Sequence, residues 1–242
     1  MSKFMKSCGE EPAIIDVNVK NYYSKPIAFK HDLYLTSEIG EAEDYATWLQ
    51  IINNASENDV INVHINSPGG YLTTSIQLYS ALVNSEATVV VSVEGECCSG
   101  ATMVLMAADT VYVDNNAYFL FHSYSGGNIG KYNNLQENAK FQEKWFPNVT
   151  KDIYKDFLSE EEIETVLKGV DLWFDADTVI HRFEELTKKR QRALKDTNPE
   201  AYNMMLKTGM IVEEEKKPVP KKPAPKKPAD KKPASKPKPK SK

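Results

Sequence analysis

Apolar and polar positions follow two alternating periods between residues 31 and 194. Short apolar or alternating runs predict strands, and apolar residues three or four apart predict helices. The predicted strands are 31–36, 59–65, 89–93, 110–113 and 117–122, with a further short apolar segment at 170–174. The predicted helices are 39–55, 73–83, one opening at residue 100, 131–158 (interrupted or bent at Pro147), 159–169 and 176–194. Strands that alternate with helices indicate an α/β fold with a largely parallel sheet.

Two strand-turn-helix units stand out because their turns carry unusual chemistry. The first turn is Asn66-Ser-Pro-Gly-Gly70, and the second surrounds Ser99, between an apolar strand and a run of good helix formers. In parallel α/β folds such turns lie at the carboxyl ends of strands, where ligands bind. These two turns are therefore the first candidates for a functional site.

Ser99 has two interpretations at the start of its helix. Free backbone N–H groups and the positive end of the helix dipole favour a nucleophilic hydroxyl with oxyanion donors beside it. The alternative is a serine that only caps the helix. The stretch from Val89 to Asp109 alone leaves both open.

A serine nucleophile needs a base, which the fold brings to it from elsewhere in the sequence. Of the four histidines, His122 alone ends a predicted strand and leads into a glycine-rich segment, Ser123 to Gly130. His122 is thus the candidate base.

Composition separates an acidic body from a basic tail. Residues 216–242 contain twelve lysines and one acid, a charge of +11, so the rest of the chain carries −15 of the total of −4. A Lys/Pro tail cannot bury a core, so we expect disorder there. It serves either as a spacer or as a contact for an anionic partner.

The remaining composition narrows the class of protein. Three cysteines, two of them adjacent at Cys97 and Cys98, are typical of a reducing compartment and not of a disulfide framework. No Cys/His set has the spacing of a metal site, so we expect neither metal nor cofactor. The chain shows no secretory leader and no apolar run long enough to cross a membrane, which predicts a soluble cytoplasmic protein.

Three motifs in order resemble the proteolytic subunit of the Clp protease family. They are INSPGG at 65–70, Gly-x-x-x-Ser-Gly at 95–100 and FLFHSYSGG at 119–127. The resemblance runs from His31 to Leu186. It implies a crotonase-like α/β fold of repeated β-β-α units with a protruding long helix.

Residue by residue, the resemblance implies a catalytic triad of Ser99, His122 and Asp171. Asp175 and Asp177 lie close to Asp171, and the alternative role for an aspartate here is to cap the next helix. The backbone N–H groups of Gly70 and Gly100 would form the oxyanion hole. The substrate-binding positions would be Tyr71, Leu72, Ser125, Gly126 and Gly127.

The sequence also departs from the family pattern. Cys97 and Cys98 stand where alanines are usual, and Gly100 replaces a methionine, which we expect to loosen the turn. The positions that line the family's hydrophobic docking pocket for an unfoldase ATPase are polar here, at Asn62, His64 and Asn84. The resemblance implies heptameric rings stacked through the long helix, and a Clp-type ATPase as a possible partner at an altered pocket.

The leading hypothesis is a serine endopeptidase that cleaves unfolded chains inside an oligomeric ring. The alternatives are a specialised protease, for example in virus head maturation, a non-catalytic ring-forming subunit, and an acyl-CoA-type enzyme of the same superfamily. The predicted organisation is an irregular segment at 1–30, a protease domain at 31–194, an extension at 195–215 and the tail at 216–242.

Overall fold

A computed structural model describes residues 28–127 and 129–207. The strands are β1 (Lys30–Leu35), β2 (Val60–Ser67), β3 (Thr88–Cys98), β4 (Thr110–Val113), β5 (Tyr118–Phe121) and β6 (Leu172–Asp175). The α-helices are α1 (Ala46–Asn54), α2 (Leu72–Val83), α3 (Gly100–Met106), α4 (Tyr132–Tyr154), α5 (Glu160–Leu167), α6 (Ala176–Thr197) and α7 (Pro199–Lys207), and a 3₁₀ turn at Ala42–Tyr45 precedes α1. The predictions for the N-terminal segment up to residue 27 and for the tail lie outside the described residues.

The six strands form one sheet in the order β1-β2-β3-β5-β6, with β4 also paired to β3. All pairs are parallel except β5 with β6. The long β3 pairs with β4 through Val90–Val93 and with β5 through Glu96–Cys98. The predicted α/β architecture with a largely parallel sheet is confirmed.

The core lies against one face of this sheet, because alternate strand residues point to the same side. On β2 and β3 the buried aliphatic side chains are those of Ile61, Val63, Ile65, Val89, Val91 and Val93. The helix α3 is buried along its whole length. The turn at Ser99 directly precedes α3, so the buried helix anchors this turn.

The helices follow the predicted pattern but differ from it in several bounds. The helix predicted at 39–55 is a 3₁₀ turn at Ala42–Tyr45 followed by α1 from Ala46 to Asn54. Helix α4 continues through Pro147 without interruption, and most of its first half is exposed. Helix α5 begins with the expected capping box between Ser159 and Glu162, and Gly169 follows its end with φ +85°. Helix α6 runs three residues past the predicted end, and α7 was not predicted, although Tyr202, Met205 and Leu206 recur in its sequence at helical spacing.

The chain divides into two compact units, Met1–Ala193 and Leu194–Lys242. All the predicted site residues belong to the first unit. In the second, the Lys195 ammonium lies 5.3 Å from the ring centre of Tyr202. No helix in the described ranges is long and apolar enough to cross a membrane.

Candidate active site

Ser99 joins the end of β3 to the start of α3 in a left-handed backbone conformation. Its φ is +53° and its ψ is −125°, and no other non-glycine residue in the described ranges has a positive φ. Such a conformation costs of order 1–3 kcal/mol and persists only where the surroundings impose it. The Ser99 side chain makes no capping hydrogen bond to α3. The hydroxyl therefore does not have the N-cap role that was the alternative interpretation.

Three hydrogen bonds hold the Ser99 backbone. Its N–H donates to the Leu120 carbonyl of β5 at 2.8 Å. Its carbonyl accepts from the N–H of Thr102 at 3.0 Å and from the Thr102 hydroxyl at 2.6 Å. The first of these bonds ties the serine turn to the strand that carries His122.

The glycine turn of β2 packs directly against the serine turn. Gly69 has φ +92°, and a β-carbon there would lie 2.5 Å from the Cys98 carbonyl oxygen, 2.6 Å from the Ser99 β-carbon and 2.7 Å from the Gly100 nitrogen. Only glycine permits both this backbone conformation and this approach. The two turns singled out from the sequence thus meet in space.

The predicted oxyanion donors belong to this junction. Ile39 forms hydrogen bonds with the Gly69 carbonyl and the Tyr71 N–H, at 2.7 and 2.9 Å, and these hold the segment around Gly70. In the described part of the chain, no backbone carbonyl accepts from the N–H of Gly70 or Gly100. A β-carbon at Gly100 would collide with the Ser75 hydroxyl, so glycine gives this turn the room to pack against α2.

A cleft of about 130 Å³ brings most of the predicted residues together. The predicted residues that line it are Gly70, Tyr71, Leu72, Ser99, Gly100, His122 and Ser125. Gly126 and Gly127 line a neighbouring groove, beside Tyr124 and the first half of α4. The cleft therefore combines a hydroxyl, an imidazole and glycine N–H groups in one place.

Four further residues line the cleft and were not predicted. They are Met103, Tyr124, Phe146 and Tyr154. Tyr124 lies inside the FLFHSYSGG motif and Met103 lies four residues after Ser99. Their closeness in sequence to His122 and Ser99 could have identified both as site residues. Phe146 and Tyr154 come from α4, and nothing local in the sequence connects that helix to the serine turn.

Asp171 does not line the cleft and is exposed. It directly precedes β6, whose antiparallel register pairs Leu172 with Phe121. This pair is the last of the ladder, and Asp171 and His122 are the residues directly beyond it on the two strands. Asp175 has a different role, since its carboxylate accepts a 2.9 Å hydrogen bond from the Thr178 N–H and caps α6.

The two cysteines before Ser99 are not competing nucleophiles. Both are free and buried. Burial raises the pKa of Cys97 well above its ordinary value, and burial together with Glu96 raises the pKa of Cys98 to about 11. Both thiols are protonated near neutral pH, and a thiol reacts only as its thiolate.

The three polar positions of the docking surface expected from the resemblance have their own partners. Buried Asn62 donates to Asp32 at 3.0 Å and accepts from Ser92 at 3.1 Å. His64 contacts Glu94 at 2.5 Å and Asp32 at 3.1 Å. Asn84 donates to the Ser80 carbonyl at the end of α2.

The charge state of His64 follows from these contacts. Burial alone would lower the pKa of its imidazole, but the hydrogen bonds to Glu94 and Asp32 outweigh burial and raise it. Hydrogen bonds from Lys30, Asn62 and His64 lower the pKa of Asp32. The charged and polar side chains on this face of the sheet thus form one hydrogen-bonded network.

No group of three or more His, Cys, Asp or Glu side chains in the described ranges is arranged to hold a metal ion.

Comparison with known proteins identifies relatives of the chain. The model of the Clp protease family matches residues 19–181, a range that contains Ser99, His122 and Asp171. The ATP-dependent Clp protease proteolytic subunit 1 of Rhodopirellula baltica is 27% identical over 111 residues, which are 44% of this chain and 49% of that protein. The chain spans about half the length of that curated relative.

Proposed function

The chain belongs to the Clp protease family, and from that membership we propose that it is a serine endopeptidase with Ser99 as its nucleophile. The observation that carries the proposal is the backbone of Ser99. Its strained conformation leaves the hydroxyl free of a capping role, in a cleft shared with His122, Gly70 and Gly100. A strained serine beside a histidine and glycine N–H groups is what acyl transfer requires.

The reaction divides between these groups. Ser99 Oγ attacks the carbonyl carbon of the scissile bond while His122 takes the hydroxyl proton. The tetrahedral oxyanion accepts hydrogen bonds from the N–H groups of Gly70 and Gly100. His122 then gives its proton to the leaving amine, and a water molecule activated by the same histidine hydrolyses the acyl-enzyme. Asp171, which directly follows the last β5–β6 pair as His122 does, is the proposed acid that orients the imidazole and stabilises its charged form.

The substrate would be an extended peptide. Tyr71, Leu72 and Ser125 line the cleft, and the groove at Gly126 and Gly127 shares Tyr124 with it. An extended segment can add to such exposed backbone as a strand. The aromatic and apolar lining from Met103, Tyr124 and Phe146 favours an apolar side chain next to the cleaved bond.

The same membership supports assembly as an oligomeric ring that encloses the sites, with unfolded chains as substrates. A Clp-type ATPase would meet a charged network at Asn62 and His64 instead of an apolar pocket. We therefore propose that any activator recognises polar groups on this face.

The decisive experiment is covalent labelling of the full chain with a fluorophosphonate, read by intact mass. We expect one adduct on the wild type and none on Ser99→Ala or His122→Ala. His181→Ala is the matched control, since His181 is an exposed residue of α6, and it should label like the wild type. Cys98→Ser should also label. Absence of an adduct on a folded, assembled wild type, with assembly measured by native mass spectrometry, would overturn the proposal.

A further inference from the structure

Two buried hydroxyl groups connect helix α4 to the backbone of Ser99. The Thr102 hydroxyl lies 2.6 Å from the Ser99 carbonyl oxygen and 2.7 Å from the Tyr154 hydroxyl. Thr102 is completely buried, and Tyr154 is 6% exposed. Tyr154 stands 52 residues further along the chain. Neither residue takes part in the reaction steps described above.

The direction of both hydrogen bonds follows from the groups present. The Ser99 carbonyl can only accept, so the Thr102 hydroxyl donates its single proton there. The Tyr154 hydroxyl must then donate to Thr102 Oγ1. Burial raises the pKa of Tyr154, which keeps its phenol protonated and able to donate. The result is a directed chain from α4 to the serine turn.

The Ser99 carbonyl is a sensitive point for this chain to hold. The carbonyl of Ser99 and the N–H of Gly100 belong to one planar trans peptide unit, so they point in opposite directions. Fixing the carbonyl therefore fixes the direction of the Gly100 N–H. Without the hydroxyl bond, the strained turn keeps only the 3.0 Å bond from the Thr102 N–H on that carbonyl.

We propose that Thr102 and Tyr154 are positioning residues that aim the Gly100 N–H at the oxyanion, with the Tyr154 hydroxyl acting only through Thr102. The proposal rests on the proposed serine peptidase function. The same tyrosine also packs edge-on against Phe121, at 5.5 Å between ring centres, directly before His122. Helix α4 thereby contacts both the nucleophile turn and the strand that carries the base.

Four variants separate positioning from simple packing. Thr102→Val keeps the shape and removes the hydroxyl, and Thr102→Ser keeps the hydroxyl. Tyr154→Phe removes the hydroxyl that donates to Thr102. The double variant Thr102→Val with Tyr154→Phe tests whether that hydroxyl affects catalysis by a route other than Thr102. Tyr45→Phe is the matched control, because Tyr45 is a buried tyrosine that packs against Trp48 instead.

We expect Thr102→Val to lower kcat for a peptide substrate about 10- to 100-fold with KM nearly unchanged, less than the loss of a whole oxyanion donor. Thr102→Ser and Tyr45→Phe should stay within about 2-fold of wild type, and Tyr154→Phe should lower kcat by roughly 3- to 10-fold. The double variant should match Thr102→Val. A further loss in the double variant, or a fall in melting temperature without any change in kcat, would overturn the proposal.

A second readout does not require the serine to react. Amide exchange of the Ser99 and Thr102 N–H groups should accelerate in Thr102→Val and Tyr154→Phe but not in Thr102→Ser or Tyr45→Phe. Unchanged exchange in both hydroxyl-deleted variants would overturn the positioning role even in an active enzyme. If the wild type takes no fluorophosphonate label but the variants show the expected differences in exchange, only the peptidase function is overturned.

Discussion

At the scale of single residues, the site depends on how closely backbone approaches backbone. Gly69 touches the Ser99 turn, and Gly100 leaves room for the Ser75 hydroxyl. Buried Cys97 and Cys98 supply small apolar side chains before the serine, and their protonated thiols add no charge. Small residues at these positions therefore let the serine turn and the glycine turn pack directly against each other.

The aspartate assignment can be tested by comparing two carboxylates four residues apart. Asp171→Asn should lower kcat by about 10³-fold or more, as loss of the orienting acid does in other serine triads, without changing the melting temperature. Asp175→Ala should remove the cap of α6, at a cost of about 0.5–2 kcal/mol in unfolding free energy, and leave kcat unchanged. If Asp175→Ala lowered kcat and Asp171→Asn did not, Asp175 would be the orienting acid.

The contact between the two turns makes a separate prediction about stability. Gly69→Ala should destabilise the protein by at least about 3 kcal/mol, because backbone strain and collision with the serine turn add. Gly169→Ala is the control, since Gly169 has a similar φ of +85° but open space around it. It should cost only roughly 1–2 kcal/mol. Urea unfolding curves measure both, and equal losses would contradict the account.

At the scale of secondary-structure elements, one ion pair holds the segment that carries Asp171. Arg182 of α6 donates to both carboxylate oxygens of Glu162 in α5, at 2.9 and 2.6 Å, and to the Phe157 carbonyl at 3.1 Å. Its guanidinium also lies 4.4 Å from the ring centre of Phe174 in β6. The pair thus joins α5, β6 and α6, the elements that surround Asp171.

This ion pair predicts a pH dependence of stability. The hydrogen bonds from Arg182 lower the pKa of Glu162 from 4.5 to about 2. A lowered carboxyl pKa contributes stability that is complete above pH 4.5 and is lost as the pH falls towards 2. Glu162→Gln should cost about 2 kcal/mol at pH 7 and flatten the unfolding free energy between pH 4.5 and 2.

The control for this measurement lies on the same helix. Glu164 forms an exposed pair with Lys168 at 3.7 Å, so Glu164→Gln should change the unfolding free energy by less than about 0.5 kcal/mol. Chemical unfolding at a series of pH values distinguishes the two variants. Equal pH profiles for Glu162→Gln and the wild type would rule out the stabilising role of the ion pair.

At the scale of the whole molecule, charge is divided between an acidic body and a lysine-rich tail. We expect the full chain to bind a labelled DNA duplex at low salt through the tail. If six to ten lysines contact phosphates, affinity should fall by about 10³- to 10⁵-fold between 50 and 200 mM salt. A chain truncated after residue 215 should not bind but should still take the fluorophosphonate label.

A variant with the tail lysines changed to glutamine is the matched control, since it keeps the length and the prolines. Loss of binding in both variants would assign the tail to an anionic partner. If the truncated chain or the glutamine variant binds DNA as strongly as the full chain, the tail is a spacer. The same conclusion follows if the full chain does not bind DNA.

Much of this fold could be predicted because periodicity, turn residues and caps act over a few neighbours. The strand positions, the capping box at Ser159 and the glycine stop at residue 169 follow from such local chemistry, although β3 continues to Cys98, five residues past its predicted end. Ser99 was singled out in the turn between a predicted strand and a predicted helix, His122 at the end of a predicted strand, and the family resemblance added Asp171. Helix α7 was missed, although Tyr202, Met205 and Leu206 have helical spacing.

The sequence by itself determined most of the elements, their order, the two special turns and the family, because each depends on residues that are contiguous in the chain. Only the tertiary structure decided which turns touch, that β3 pairs with both β4 and β5, and that Tyr154 reaches Ser99 through Thr102. These contacts join residues 30 to 52 positions apart or pack distant strands together. They depend on how the whole chain buries its apolar surface, which no local pattern contains.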